Sequence, residues 1–93
     1  MLFFGKVRID VSKLAELGQK LQNGELDRSL TKATYCLQDD PSVGLNIWEA
    51  DSLEDLEQRL ALYKAYYAEV SDITPVILPT EAQNLLMKQL AGA

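Results

Sequence analysis

At 93 residues the chain has the length of one domain, and with 47% apolar side chains, 25% charged ones and a formal net charge of −5 it is too apolar for disorder. It has no histidine and one cysteine, Cys36, which excludes a Ser-His-Asp triad, a His-ligated metal, an imidazole acid–base and an intramolecular disulfide. The acidic balance argues against nucleic acid and anionic membranes as partners, since both select cationic surfaces.

In chain order, Leu2–Ile9 reads as a strand. Phe3, Gly5, Val7 and Ile9 alternate with Leu2, Phe4, Lys6 and Arg8 on its two faces. Asp10 or Ser12 can cap a helix over 12–23 with Leu14, Leu17 and Leu21 as its buried stripe, and Asn23-Gly24 stops it. Leu30–Gln38 is a second strand, Asp39-Asp40-Pro41-Ser42 a turn, and Val43–Ala50 a third strand. Ser52-Leu53-Glu54-Asp55 has capping-box spacing. It opens a helix to about Tyr67 whose Leu53, Leu56, Leu60, Tyr63 and Tyr67 form one stripe, widened by Leu62 and Tyr66. A surface helix needs an apolar stripe of only ~100°, so the surplus predicts a second contact, with the terminal helix or another subunit. Val70–Leu78 is a fourth strand, placed at a sheet edge because Pro75 lacks a ladder donor. Thr80–Gln83, with capping-box spacing again, starts a terminal helix over about 80–91.

The order β-α-β-β-α-β plus a helix predicts an α+β, ferredoxin-like antiparallel sheet of order 4-1-3-2 within one domain, 1–93. Both crossover helices then cover one face. If Val7, Ile9, Leu45 and Ile47 point at the helices, the open face carries Leu2, Phe4, Lys6, Arg8, Asn46 and Trp48, joined by Lys32, Thr34 and Cys36. Phe4 and Trp48 are costly to leave in water at ~25 cal/mol per Å². A homodimer that meets sheet to sheet is therefore expected, with Phe4, Trp48 and Tyr66 as interface candidates.

The same face offers a ligand site. Lys6, Arg8 and Lys32 could hold a small anion, Asn46 and Thr34 could donate hydrogen bonds, Trp48 could stack on a flat ligand, and Cys36 is the one thiol. Residues 1–38 carry six basic and four acidic side chains, against three and ten in 39–93, so such a site would sit in the cationic part of an acidic chain. Asp51, Glu54, Asp55 and Glu57 suit the first turn of a helix and are not read as a metal site. No cofactor is implied. Two functions remain open: a non-catalytic interaction or small-ligand-binding module, and a cofactor-independent isomerase or monooxygenase acting on a small anion. Met1–Gly5, the longest uncharged apolar run, is too short for a signal core or a ~20-residue span. With an unpaired cysteine this predicts a cytoplasmic chain.

Gly44-Leu45-Asn46-Ile47-Trp48-Glu49-Ala50-Asp51, the helix after it, Asp72-Ile73-Thr74-Pro75-Val76 and Pro79-Thr80-Glu81-Ala82 resemble an uncharacterised family of short proteins in the dimeric α+β barrel superfamily. The resemblance covers the second half of the chain and implies a sheet-paired dimer. Muconolactone isomerases and cofactor-free monooxygenases are more distantly similar, and their catalytic residues have no counterparts here.

Overall fold

Four strands pair antiparallel into one sheet: β1 (Leu2–Ile9), β2 (Thr31–Cys36), β3 (Val43–Glu49) and β4 (Tyr67–Val76). Their spatial order is β2-β3-β1-β4, or β4-β1-β3-β2 counted from the other edge. A single 3₁₀ turn (Val11–Lys13) leads into α1 (Leu14–Gln22), and α2 (Leu53–Leu60) and α3 (Pro79–Gly92) follow. This is a computed structural model that describes residues 1–92; Ala93, the last residue of the expected domain, lies outside them.

The local chemistry accounts for the element ends. The Asp10 carboxylate accepts from the Ser12 N–H and caps the 3₁₀ turn. Gly24, at φ +74°, closes α1: its N–H bonds the Leu21 carbonyl and that of Glu25 bonds the Lys20 carbonyl, the paired bonds of a Schellman stop. Ser52 Oγ accepts from the Asp55 N–H at 3.0 Å, and Asp55 in return accepts from the Asp51 N–H at 2.9 Å, so α2 starts on a reciprocal cap. α3 begins at Pro79, one residue before the expected Thr80. Proline suits this first position because its missing N–H would have no partner there.

α2 is shorter than its stripe predicts. It ends at Leu60, a second 3₁₀ turn covers Lys64–Tyr66, and Tyr67 already pairs with Ile9 in the sheet. The periodicity survives because turns of about three residues also return every third side chain to one side. Tyr63 and Tyr66 are thus buried in the chain's own core without a continuous helix, whereas Leu62 and Leu53 are left exposed.

α1 and α2 pack on the same side of the sheet. Leu17, Leu56 and Leu60 join Phe3, Val7, Trp48, Tyr63 and Tyr66 in one core. The expected phase of β3 is inverted. Phe3 lies opposite Trp48, Gly5 opposite Asn46 and Val7 opposite Gly44, and directly opposed residues share a face. Trp48 and Asn46 therefore belong to the helix side, while Leu45 and Ile47 lie on the open face. The cause is volume. A Cβ on Gly5 would stand 1.9 Å from Trp48 Cζ3, so the indole fills the space left by the missing side chain. β4 keeps step by bulging: Phe4 pairs with Thr74 and Lys6 with Ser71, leaving Asp72 and Ile73 opposite Gly5, with Asp72 at φ 57°. Pro75 sits in β4, which is an edge strand.

Candidate functional site

The predicted site residues divide between the two faces. Phe4, Lys6 and Arg8 lie on the open face, with Leu2, Leu45 and Ile47 beside them. From β2 this face takes Ala33 and Tyr35, opposite Ile47 and Leu45. Thr34 and Cys36 oppose Asn46 and Gly44 and so share the helix side. Lys32 is exposed within the register shift between Thr31 and Ala33. Two interface candidates are corrected: Trp48 is 0% exposed and Tyr66 8%, both inside the helix-side core.

On the open face, Arg8 Nη1 donates to Asp40 Oδ2 at 2.8 Å and to Ser42 Oγ at 3.1 Å. That hydrogen bond and charge raise the Arg8 pKa, and the Ser42 hydroxyl, with Arg8, lowers that of Asp40. The cleft between Lys6 and Arg8 holds about 70 Å³ and includes Glu69, so little room and a competing carboxylate await an anion there. What dominates is apolar surface. Leu2, Phe4, Leu45 and Ile47 are half-buried and Tyr35 is 74% exposed, with no helix above them. α3 adds to this surface: none of its residues is buried, and Leu85, Leu86, Met87 and Leu90 are 52–74% exposed. The radius of gyration is 15.9 Å, against about 12 Å for a compact chain of this length; α3 stands away from the body.

On the helix side a cavity of about 300 Å³ lies between α1 and β2, β3 and β1. Val7, Ile9, Leu17 and Leu21 form its apolar part, and Arg28, Thr31, Thr34, Cys36 and Asn46 its polar part. Tyr63 and Tyr67 form a wall, with ring centroids 6.2 Å apart and planes within 20°. The Tyr63 hydroxyl donates to the Asp27 carbonyl at 2.7 Å. Burial pushes the Tyr67 phenol up to about 12, so it stays neutral. Asn46 Oδ1 accepts from the Thr34 hydroxyl at 2.7 Å, whereas Asn46 Nδ2 is buried with no partner. Trp48 Nε1 is also buried without a partner, and nothing in the structure accounts for that.

The loop carrying Arg28 is pinned by Asp27. Its carboxylate accepts from the Ser29 N–H and hydroxyl and from Arg59 Nη2 at 2.6 Å, while Arg59 also bonds the Glu49 carbonyl. These bonds, from Ser29 first and then Arg59, hold the Asp27 carboxyl down at about 2.

Sequence reasoning missed Tyr35, Leu45 and Ile47 on one face and Arg28 and Thr31 on the other. The available signal was Gly5: a glycine inside a strand marks a close approach, and Trp48 is the chain's largest side chain. Among the described residues, no group of three or more His, Cys, Asp or Glu could hold a metal ion, and no helix is long and apolar enough to cross a membrane. Comparison of the chain with known protein families, curated proteins and solved structures finds no match.

Proposed function

We propose that the protein is a non-catalytic, homodimeric interaction module of ferredoxin-like topology, in which two open sheet faces meet and each α3 packs on the partner. The observation that carries this reading is the pair of uncovered apolar surfaces in one chain: the face of Phe4, Tyr35, Leu45 and Ile47, and the flank of Leu85, Leu86 and Leu90 on α3. Exposed apolar surface of this extent favours association, and an isologous dimer would cover both kinds at once.

Size supports the participation of α3. The open face spans four strands at ~4.8 Å and about six residues at ~3.3 Å, roughly 400 Å² in plan. A stable interface takes ~800 Å² from each partner, so the sheet alone falls short. α3, about 21 Å long, extends the surface. A cleft of about 380 Å³ at its root, lined by Leu2, Pro75, Val76, Ile77 and Leu78, offers room for a partner's apolar side chain. Exposed, unpaired Cys36 suits a reducing cytoplasm.

Sedimentation velocity tests the proposal. Wild-type protein should sediment as a dimer, and Tyr35→Asp and Leu86→Asp should each give folded monomers, since both positions are exposed within the protomer. A wild-type monomer at high concentration, or dimers in both variants, would overturn it.

A further inference from the structure

The geometry points to the free edge of β2 as a self-pairing strand that binds the β2 of a second copy antiparallel, with a two-fold axis at Tyr35. This goes beyond the proposed dimer and does not rest on it, because that interface uses the open face and α3, whereas this contact uses the outer backbone of one edge strand.

The two edges of the sheet differ. β4 carries Pro75, a bulge at Asp72 and Ile73, and the acids Glu69 and Asp72, all devices that oppose the addition of a further strand. β2 has its one irregularity and its one charge together at the start, where the register shifts between Thr31 and Ala33 and Lys32 sits. From Ala33 to Leu37 it has no proline, charge or bulge. The Leu37 N–H bonds the Val43 carbonyl at 3.1 Å, and successive residues of a strand turn their backbone groups to opposite edges. The groups of Ala33 and Tyr35 therefore also face β3, and those of Thr34 and Cys36 face outward. Both residues are exposed, and among the described residues no other element bonds their backbone.

Self-complementarity selects a second copy as the occupant. With the axis at Tyr35, Thr34 meets the partner's Cys36 and Cys36 meets the partner's Thr34, so the outward N–H and C=O groups of both residues are bonded. Tyr35, 74% exposed, meets the partner's Tyr35 at a position without ladder bonds, where side chains approach most closely and aromatic pairs stabilise. Ala33 meets the partner's Leu37, so the open-face side of the seam is apolar. Lys32 arrives beside the partner's Asp39, and within one chain neither residue makes an ion pair among the described residues. Moving the axis by one residue loses this match. An axis at Thr34 sets Leu37 against the partner's Thr31, and an axis at Cys36 sets Ala33 against the partner's Asp39. A single strand pair buries less than a stable interface needs, so the contact is weak and forms at high protein concentration.

Disulfide trapping of the full-length protein tests both the pairing and its register. A hydrogen-bonded antiparallel pair holds its Cα atoms ~5.5 Å apart, within disulfide reach, whereas diagonal neighbours stand at ~7–8 Å, beyond it. Thr34→Cys places a thiol opposite the partner's Cys36. Both positions lie on the helix side of the sheet, where the open-face dimer brings no thiols together. Under copper phenanthroline, Thr34→Cys should give covalent dimers on non-reducing gels at least about tenfold faster than wild type, whose single thiols meet only diagonally. In that background Lys32→Asp should slow trapping at least about threefold, and adding Asp39→Lys should restore it. Thr34→Cys also gives up the hydroxyl bond to Asn46. Should that variant not fold, Tyr35→Cys decides alone, in a chain with Cys36→Ser and with Leu86→Asp to disable the open-face contact. It should be trapped at least about tenfold faster than Leu37→Cys in the same background, because only position 35 faces itself across the axis. Equal trapping of Thr34→Cys and wild type, no response to the charge exchange, or equal trapping at positions 35 and 37 would overturn the proposal.

Discussion

The two faces of this sheet are made by the same strands and are in places equally apolar, yet they have opposite fates. On the helix side Phe3, Val7 and Trp48 are 0–3% exposed under α1 and α2. One residue along each strand, Phe4, Leu45 and Ile47 remain half-buried with nothing above them. Hydrophobicity therefore does not decide which face becomes the core. Complementary volume does: Gly5 leaves a hole, and the indole of Trp48 is the side chain that fills it.

The sharpest way to break this contrast is to empty the helix side. Trp48→Ala should cost about 3–5 kcal/mol, a large share of a small domain's stability. Tyr35→Ala on the open face, compared in the monomeric Leu86→Asp background, should stay within about 0.5 kcal/mol. Denaturant titration reads both, and near-equal losses would mean that the core has been assigned to the wrong face.

A finer test fills the hole. Gly5→Ala should cost about 1–3 kcal/mol through overpacking, because the fully buried ring that it meets has nowhere to move. Combining it with Trp48→Phe, which removes the ring edge, should cost clearly less than the sum of the two single changes. The coupling in that double-mutant cycle measures the Gly5–Trp48 fit directly, and strict additivity would refute it.

The smallest effect concerns the acids that tie loops to each side. Asp27, which pins the Arg28 loop, is held at about 2 in the folded protein against an ordinary 3.8. A lowered folded pKa means that the carboxylate stabilises fully above pH ~4, and that this contribution is lost as pH falls from there towards 2. The Asp27–Arg59 side chains are 45% and 29% exposed, so solvent screening keeps the pair's contribution small. Asp27→Asn should remove that part of the acid dependence in thermal melts between pH 2 and 5. Identical pH profiles for wild type and variant would show that the network does not bear on folding.

Element types were legible because they depend on neighbours in the chain. The cap at Ser52, the stop at Gly24 and the edge placement of Pro75 are all local chemistry, and each stands in the structure where its residues indicate. The far end of α2 was not. Leu60, Tyr63 and Tyr67 keep helical spacing, but Tyr67 is extended because it pairs with Ile9, and that pairing is invisible to periodicity. The candidate site was legible by membership more than by grouping. Thr34, Cys36 and Asn46 do come together, and Trp48 shares their face but is buried in the core, while Lys6 and Arg8 lie on the other face, because β2 and β3 both stand one residue out of the expected phase and a shift of one moves every side chain to the other face.

By itself, then, the amino-acid order determined the number and kind of elements, the antiparallel α+β class and the absence of histidine chemistry, since each follows from composition, spacing of three, four or two, and turn residues. Only the tertiary structure decided which face of β3 meets the helices, that Asn46 keeps an unpaired amide end beside a cavity, and that α3 stands clear of its own sheet. Those outcomes depend on the volume across from each residue, and that volume is set by partners distant in sequence: Trp48 takes the space over Gly5 forty-three positions earlier, and alternation along one strand carries no record of it.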